Sequence, residues 1–261
     1  MIEERDIRAL LQTKIFGRKL FCFDTIDSTN TFARSLKEHD ATHGALILAD
    51  EQTSGRGRHE RQWHSQKGKN LLFSLILKPS FPQEKIRLLP FAAALASADA
   101  IEMETGCSVE CKWPNDLLVA RKKVAGMLIE TTVQDEVVKN AILGVGINVN
   151  QTVFPDDIRE KATSLRLHSS KDVDRVHLLC GILEELEHRY EQLQQFSPQV
   201  LLDEWKQRAT MFGTMITLVE HSSLLKATAI DVAPNGALVI EELNGARREV
   251  FAGDVTIAPR Q

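Results

Sequence analysis

Hydrophobic positions along the chain change period several times, and each change predicts an element. Over residues 4–15, Ile7, Leu10, Leu11 and Ile15 recur at helical spacing, which predicts a short amphipathic helix. Lys19-Leu20-Phe21-Cys22-Phe23 reads as a strand. Asp27-Ser28-Thr29-Asn30 then precedes Thr31-Phe32-Ala33-Arg34-Ser35-Leu36-Lys37; Ser, Thr and Asn favour N-caps, so a helix should open there. Strands are predicted from Gly44 to Gln52 and over 70–78, with turns at Pro79 and Pro82. A helix should begin near Pro90 and bury a stripe of Phe91, Ala94, Leu95, Ala98 and Ile101.

Val109-Glu110-Cys111-Lys112-Trp113-Pro114-Asn115-Asp116 reads as a strand stopped by Pro114. Alternation turns Lys112 away from the side of Cys111 and Trp113, towards either a cleft or solvent. Leu117-Leu118-Val119 and Lys123 to Glu130 form a predicted hairpin around Arg121-Lys122. In 141–149, Leu143, Val145, Ile147 and Val149 face one way as core; Gly144, Gly146 and Asn148 face the other. That bare face suits either a close contact within the protein or a flat floor for a ring-shaped ligand. Residues 151–174 read as a polar loop. Val176, Leu179, Cys180, Leu183, Leu186, Tyr190 and Leu193 are a core helical stripe, and a second helix after Ser197-Pro198 carries Leu201, Leu202 and Trp205. Short strands with hairpin signals at Asn235-Gly236 and Asn244-Gly245 predict a small C-terminal β-barrel. The expected division is residues 1–211 and 212–261.

Between two of the predicted strands lies Ser54-Gly55-Arg56-Gly57-Arg58, continuing through Trp63-His64 to Lys69. Loops beyond about 12–15 residues tend to be functional or disordered. Its arginines carry forks of donors suited to phosphate or carboxylate. The loop reads as an anion-binding lid or as a solvated connection. The helix cap at Ser28-Thr29-Asn30 has the same double reading, a cap alone or a helix N-terminus with free N–H groups for a ligand.

Composition narrows this. A net charge of -4 over 261 residues, with one tyrosine, disfavours a nucleic-acid binder built on the basic loop. No apolar run reaches 18 residues and the N-terminus shows no secretory signal, so a cytoplasmic protein is expected. The four cysteines give neither a disulfide framework nor a convincing metal site, and the histidine pairs are too isolated to bind metal. The P-loop, G-x-G-x-x-G, G-x-S-x-G and H-E-x-x-H motifs are absent. Only about twenty residues precede the first predicted strand, too few for a helix-turn-helix domain.

Taken in order, Asp27-Ser28-Thr29-Asn30, Glu51 to Arg58, Lys112 to Asp116, Lys123-Val124-Ala125-Gly126, Gly144-Val145-Gly146-Ile147-Asn148 and Ala162-Thr163-Ser164-Leu165-Arg166 resemble the biotin protein ligases, over about residues 18 to 258. The resemblance is to the monofunctional type, without an N-terminal DNA-binding domain. It implies an α+β fold: a mixed β-sheet with flanking helices, like class II synthetases and lipoate ligases, plus an SH3-like barrel. It implies ATP-dependent, AMP-forming activation of biotin to biotinyl-5′-AMP, with Mg²⁺ on the phosphates, then transfer to a lysine of a biotin carboxyl carrier protein or domain. Lys112 and Arg58 are the implied catalytic groups. Ser28, Thr29, Asn30, Gln52, Gly55, Arg56, Gly57, Arg58, Trp63, Lys112, Gly126, Gly144 and Gly146 are the implied biotin site. Arg56, Arg58, Lys112 and Asn148 are the implied ATP site, with Phe154 a candidate against adenine and no protein metal ligands. No nucleic-acid or membrane partner is expected, and the resemblance leaves a homodimer open. The alternative is a lipoate or octanoate ligase or transferase of the same fold; a transferase would need a cysteine nucleophile, for which Cys111 is the candidate.

Overall fold

The computed structural model describes residues 2–134, 137–169, 171–220 and 223–257. The ends of the two expected domains, residues 1 and 258–261, lie outside them.

In chain order the elements are α1 Glu4–Leu10, β1 Leu20–Phe23, α2 Thr29–Ser35, β2 Leu46–Ala49, β3 Leu71–Leu77, α3 Gln83–Ile86, α4 Leu89–Thr105, β4 Glu110–Lys112, β5 Asp116–Val119, β6 Lys122–Gln134, β7 Val137–Ile147, α5 Arg175–Gln195, α6 Gln199–Gln207, β8 Met215–Glu220, β9 Ser223–Val232, β10 Leu238–Glu242, β11 Arg247–Val250 and β12 Asp254–Ile257. Strands β1 to β7 make one mixed sheet in the order β1-β2-β3-β7-β6-β5-β4; β1 and β2 are parallel and the other pairs antiparallel. Strands β8 to β12 make a second, antiparallel sheet in the order β11-β10-β9-β8-β12. This is the α+β architecture that the resemblance implies.

Helix α4 differs from its expected one-sided stripe. Ala92, Ala93, Ala96 and Ser97 are buried as fully as Phe91 and Leu95, because α4 lies between the first sheet and helices α5 and α6. Small residues on the second side let α5 approach closely, and an apolar helix covered all round has no solvent face to encode. Gly106 ends α4 in the left-handed region (φ 69°), where a side chain is strained, and its N–H donates to Glu102 O. The turn Ala120-Arg121, both residues at positive φ, closes the predicted β5–β6 hairpin.

The two sheets share one core. Trp113 Nε1 donates to Gly236 O (3.1 Å), Gly236 stacks on Leu88 and Phe91, and Trp205 meets Phe91 edge to face at 4.9 Å. No helix among the described residues is long and apolar enough to cross a membrane.

Helix α1 is shorter than expected. It stops at Leu10, with Ile7 and Leu11 buried but Ile15 exposed. The cause is Glu187 of α5, whose carboxylate accepts the N–H groups of Lys14 (2.6 Å), Ile15 (2.7 Å) and Phe16 (2.8 Å) and so draws that segment out of helical geometry. Three amides on one buried carboxylate form a strong local anchor. Glu187→Ala leaves them unsatisfied and should lower stability by about 2–4 kcal/mol in denaturant unfolding. Glu187→Gln keeps one acceptor oxygen and should lose roughly half as much.

Candidate functional site

Helix α2 starts at the sheet's open face. Ser28 caps it, its hydroxyl accepting from Thr31 N–H. The first residues of the helix then enter a buried polar network. Thr29 N–H donates to Gln52 Oε1 (2.7 Å), and Thr29 Oγ1 lies 3.0 Å from the same oxygen. Ser74 Oγ, on β3, lies 2.7 Å from Thr29 Oγ1 and 2.6 Å from Asn30 Oδ1. Asn30 Nδ2 donates to Glu130 Oε2 on β6 (2.7 Å). Glu130 Oε1 faces two cations, Arg34 of α2 and Arg56 of the glycine–arginine loop, the latter at 3.1 Å. Neither Ser74 nor Glu130 stood out in the sequence: one is a small residue inside an apolar strand, the other a charge at the end of a predicted hairpin.

The glycine–arginine loop is a folded hairpin rather than a solvated connection. Trp63 N–H donates to Gly55 O (2.9 Å), Gly57 N–H to Arg61 O (2.7 Å), and Arg56 pairs with Gln62. His59 takes a left-handed φ of 53° at its tip. The hairpin lays Trp63 across Gly146 and Gly126; a Cβ on Gly146 would stand 2.7 Å from the indole, and one on Gly126 3.2 Å from it. Gly144 is covered by the Asn30 amide. The bare face of β7 is therefore met by parts of the chain itself, the first of its two sequence readings, while still bordering the cavity. Gly55 departs from its expected role. It does not line the cavity: its missing side chain makes room for Trp63 O, 2.7 Å from where a Cβ would stand, so it shapes the hairpin from behind.

Strand β4 delivers Lys112. Cys111 and Trp113 are buried and Lys112 turns the other way, into the cavity, before the cis Trp113–Pro114 bond. Burial pushes the Lys112 ammonium below its usual 10.5; Asp116 opposes this, Lys123 adds to it, and Asp254 and Arg61 act more weakly in opposite senses. Asp116 itself pairs with Lys123, whose ammonium stands 5.5 Å from the Trp63 ring. Arg58 reaches the second sheet, donating to Gly253 O (3.1 Å) with Asp254 at 3.8 Å, and Arg61 pairs with the same Asp254. Burial lowers the Arg58 guanidinium from its usual range against the pull of Asp254 and Asp116, yet an arginine stays charged. Arg61 and Asp254 pair across elements far apart in the chain, which local pattern does not show, whereas Asp116 and Lys123 meet on adjacent strands of the β5–β6 hairpin and lie in segments that carry the resemblance.

Most of these groups, though not Arg34, Ser74, Glu130 or Gly253, border one cavity of about 710 Å³, set between the face of the first sheet, the hairpin and the edge of the second sheet. Every residue of the expected set except Gly55 lines it, as does Phe154. Asn148 Nδ2 donates to Thr163 O (3.0 Å), while its buried Oδ1 and the Trp63 Nε1 find no hydrogen-bond partner among the described residues. Among the described residues no three His, Cys, Asp or Glu side chains gather as a metal site. Cys111 points into the core, and burial pushes its thiol up to about 12. It carries no thiolate near neutrality and cannot be the nucleophile of an acyl transferase.

The sequence profile of the Biotin/lipoate A/B protein ligase family matches residues 22–148. The bifunctional ligase/repressor BirA of Bacillus spizizenii is 36% identical, over 98% of this chain and 79% of its own length. The biotin–[acetyl-CoA-carboxylase] ligase of Mycobacterium tuberculosis is 32% identical, over 97% of this chain and 95% of its own. Among solved structures, the biotin protein ligase of Aquifex aeolicus in complex with biotin and ATP superposes with a TM-score of 0.81 at 27% identity, covering 93% of this chain and 100% of that one. Sequence and fold agree over nearly the whole length, and the chain belongs to the biotin protein ligase family.

Proposed function

We propose that the chain is a biotin protein ligase that makes biotinyl-5′-AMP and passes biotin to a lysine of a biotin carboxyl carrier protein or domain. One observation carries this: the Thr29–Gln52 network and the Lys112–Arg58 cations, from different elements, open on a single cavity. A neutral bicyclic urea needs directional hydrogen bonds, and the first group offers them through Ser28, Thr29, Asn30 and Gln52. Two anions brought together need fixed cations, and the second group offers those. Trp63 and the backbone at Gly126, Gly144 and Gly146 give the apolar walls. Similarity to ligases named for biotin–[acetyl-CoA-carboxylase] and to a structure holding biotin and ATP supports the same reading.

In the first step a biotin carboxylate oxygen attacks the α-phosphorus of ATP. The P–O bond to the β-phosphate breaks and pyrophosphate leaves. Lys112 bridges the carboxyl oxygen and the α-phosphate, where negative charge concentrates; Arg56 and Arg58 neutralise the rest. The ammonium is already fixed and half-desolvated, so it does not reorganise as charge develops. In the second step the acceptor lysine amine attacks the acyl carbon, loses a proton, and AMP leaves. The hairpin keeps water from the mixed anhydride. Mg²⁺ would be held by the ATP phosphates and would supply further charge neutralisation there; two of the cavity's carboxylates, Asp116 and Asp254, are already paired with Lys123 and Arg61. Asn148 and Phe154 border the adenosine half. Residues 212–261 form an SH3-like unit that completes the ATP side through Gly253 and Asp254, with 1–211 as the catalytic unit. The protein works in the cytoplasm as a homodimer, without nucleic-acid or membrane partners.

Biotin-dependent exchange of labelled pyrophosphate into ATP tests the reading; exchange with lipoate or octanoate but not biotin would replace it. In that assay Lys112→Ala should slow adenylation by about 10²–10³. The acid form of Lys112 is the working one, and burial lowers its pKa in the free enzyme. The kcat/KM for exchange should therefore fall as pH rises, at a pH below the ordinary lysine value. Bound anions favour the ammonium, so the kcat profile should fall at higher pH than the kcat/KM profile. Lys112→Arg, charged throughout, should abolish that alkaline limb.

A further inference from the structure

Glu130 is a carboxylate that does not itself line the cavity but holds two residues that do, Asn30 and Arg56. It is only 16% exposed and touches three partners on two elements: Asn30 and Arg34 of α2, and Arg56 of the hairpin. Its position on β6 is opposite Ile142 of β7, two residues from the pairing of Leu128 with Gly144, the glycine over which the Asn30 amide lies.

The hydrogen-bond directions follow from it. A carboxylate only accepts, so the Asn30 amide must turn its NH₂ to Glu130 and its oxygen to Ser74. Ser74 must then spend its single proton on Asn30 Oδ1. Thr29 Oγ1 is left facing two acceptors, Ser74 Oγ and Gln52 Oε1, so its own proton stays inside the network. What Thr29 then presents to the cavity is a lone pair. An acceptor in that place selects a ligand N–H, which a cyclic urea has and a dithiolane or an alkyl chain lacks. The same carboxylate also holds Arg56, and with it the root of the hairpin, against the sheet.

On the reading given above, we propose that Glu130 is a positioning residue for the biotin half of the site: it sets the proton direction from Asn30 through Ser74 to Thr29 and anchors the hairpin through Arg56. It touches no reacting atom.

Two measurements test this. In the first, biotin binding is followed by calorimetry and KM is measured for biotin and for ATP. Glu130→Gln carries its own NH₂, which can reverse the Asn30 amide and the chain behind it. It should raise the Kd and KM for biotin about 10–100-fold and the KM for ATP by clearly less, since ATP loses only the placement of Arg56 while biotin also loses the Thr29 acceptor. Glu130→Asp, which keeps an acceptor-only group, should recover part of the loss. In the second, trypsin cleavage after Arg58 and Arg61 is timed without ligand. Glu130→Gln and Arg56→Met should each speed it several-fold, and the double variant should be no faster than either single one. Wild-type affinity for biotin in Glu130→Gln, an equal rise in both KM values, or additive cleavage rates would overturn the proposal. If Glu130→Gln does not fold, unchanged cleavage in Arg56→Met overturns the anchor by itself. A wild-type protein that binds no biotin sinks the functional reading, while the cleavage arm still reports on the anchor.

Discussion

Everything around the cavity depends on keeping cations fixed and partly dry before any anion arrives. A half-buried ammonium or guanidinium with nothing opposite it would be costly. The fold meets this by giving the cations carboxylates: Glu130 for Arg56, Asp116 for Lys123, and Asp254 for Arg58 and Arg61. Lys112 sits in the field of Asp116 and Asp254 without a close pair to either, which leaves its ammonium the most available to a newcomer. Substrate anions thus enter a balanced array and compete for partners already in place. The site need not assemble its charge around the ligand, so little reorganisation remains for the chemical step.

That balance explains why the second sheet belongs to the site. Gly253 and Asp254 engage Arg58 and Arg61, Asp254 as the first residue of β12, at the edge of the second sheet, and Gly253 just before it. The hairpin is therefore held at both ends by different parts of the fold: Arg56 by β6 of the first sheet, Arg58 and Arg61 by the second. The shared core around Trp113, Gly236 and Phe91 keeps these anchors in register.

Local rules made the elements legible. The cap at Ser28, the stop at Pro114, the alternation of 141–149 and the Asn-Gly turns each determine their structure with neighbours in sequence, and each formed as expected. The orientation of Lys112 was legible for the same reason, since a strand fixes facing residue by residue. What could not be read needed partners from afar. Helix α1 ends early because of a carboxylate on α5. Helix α4 is buried all round because of what packs on it. Glu130 looked like one more exposed charge on a hairpin until α2 and the loop were brought against it. The partner of Arg61, Asp254 at the far end of the chain, was out of reach for the same reason.

The glycines show how the two kinds of information meet. From sequence, Gly144 and Gly146 said only that something lies close to β7. In the structure that something is Asn30 at one and Trp63 at the other, the first from the helix cap and the second from the hairpin. A side chain at 146 would push the indole outward, and the hairpin with it, drawing Arg56 from Glu130 and Arg58 from Gly253. A missing Cβ in the sheet thus sets where the cations stand. This is why a residue with no chemistry of its own belongs to a site whose chemistry is electrostatic: in such a site, position is what the protein supplies, and glycine at 146 is part of how position is fixed.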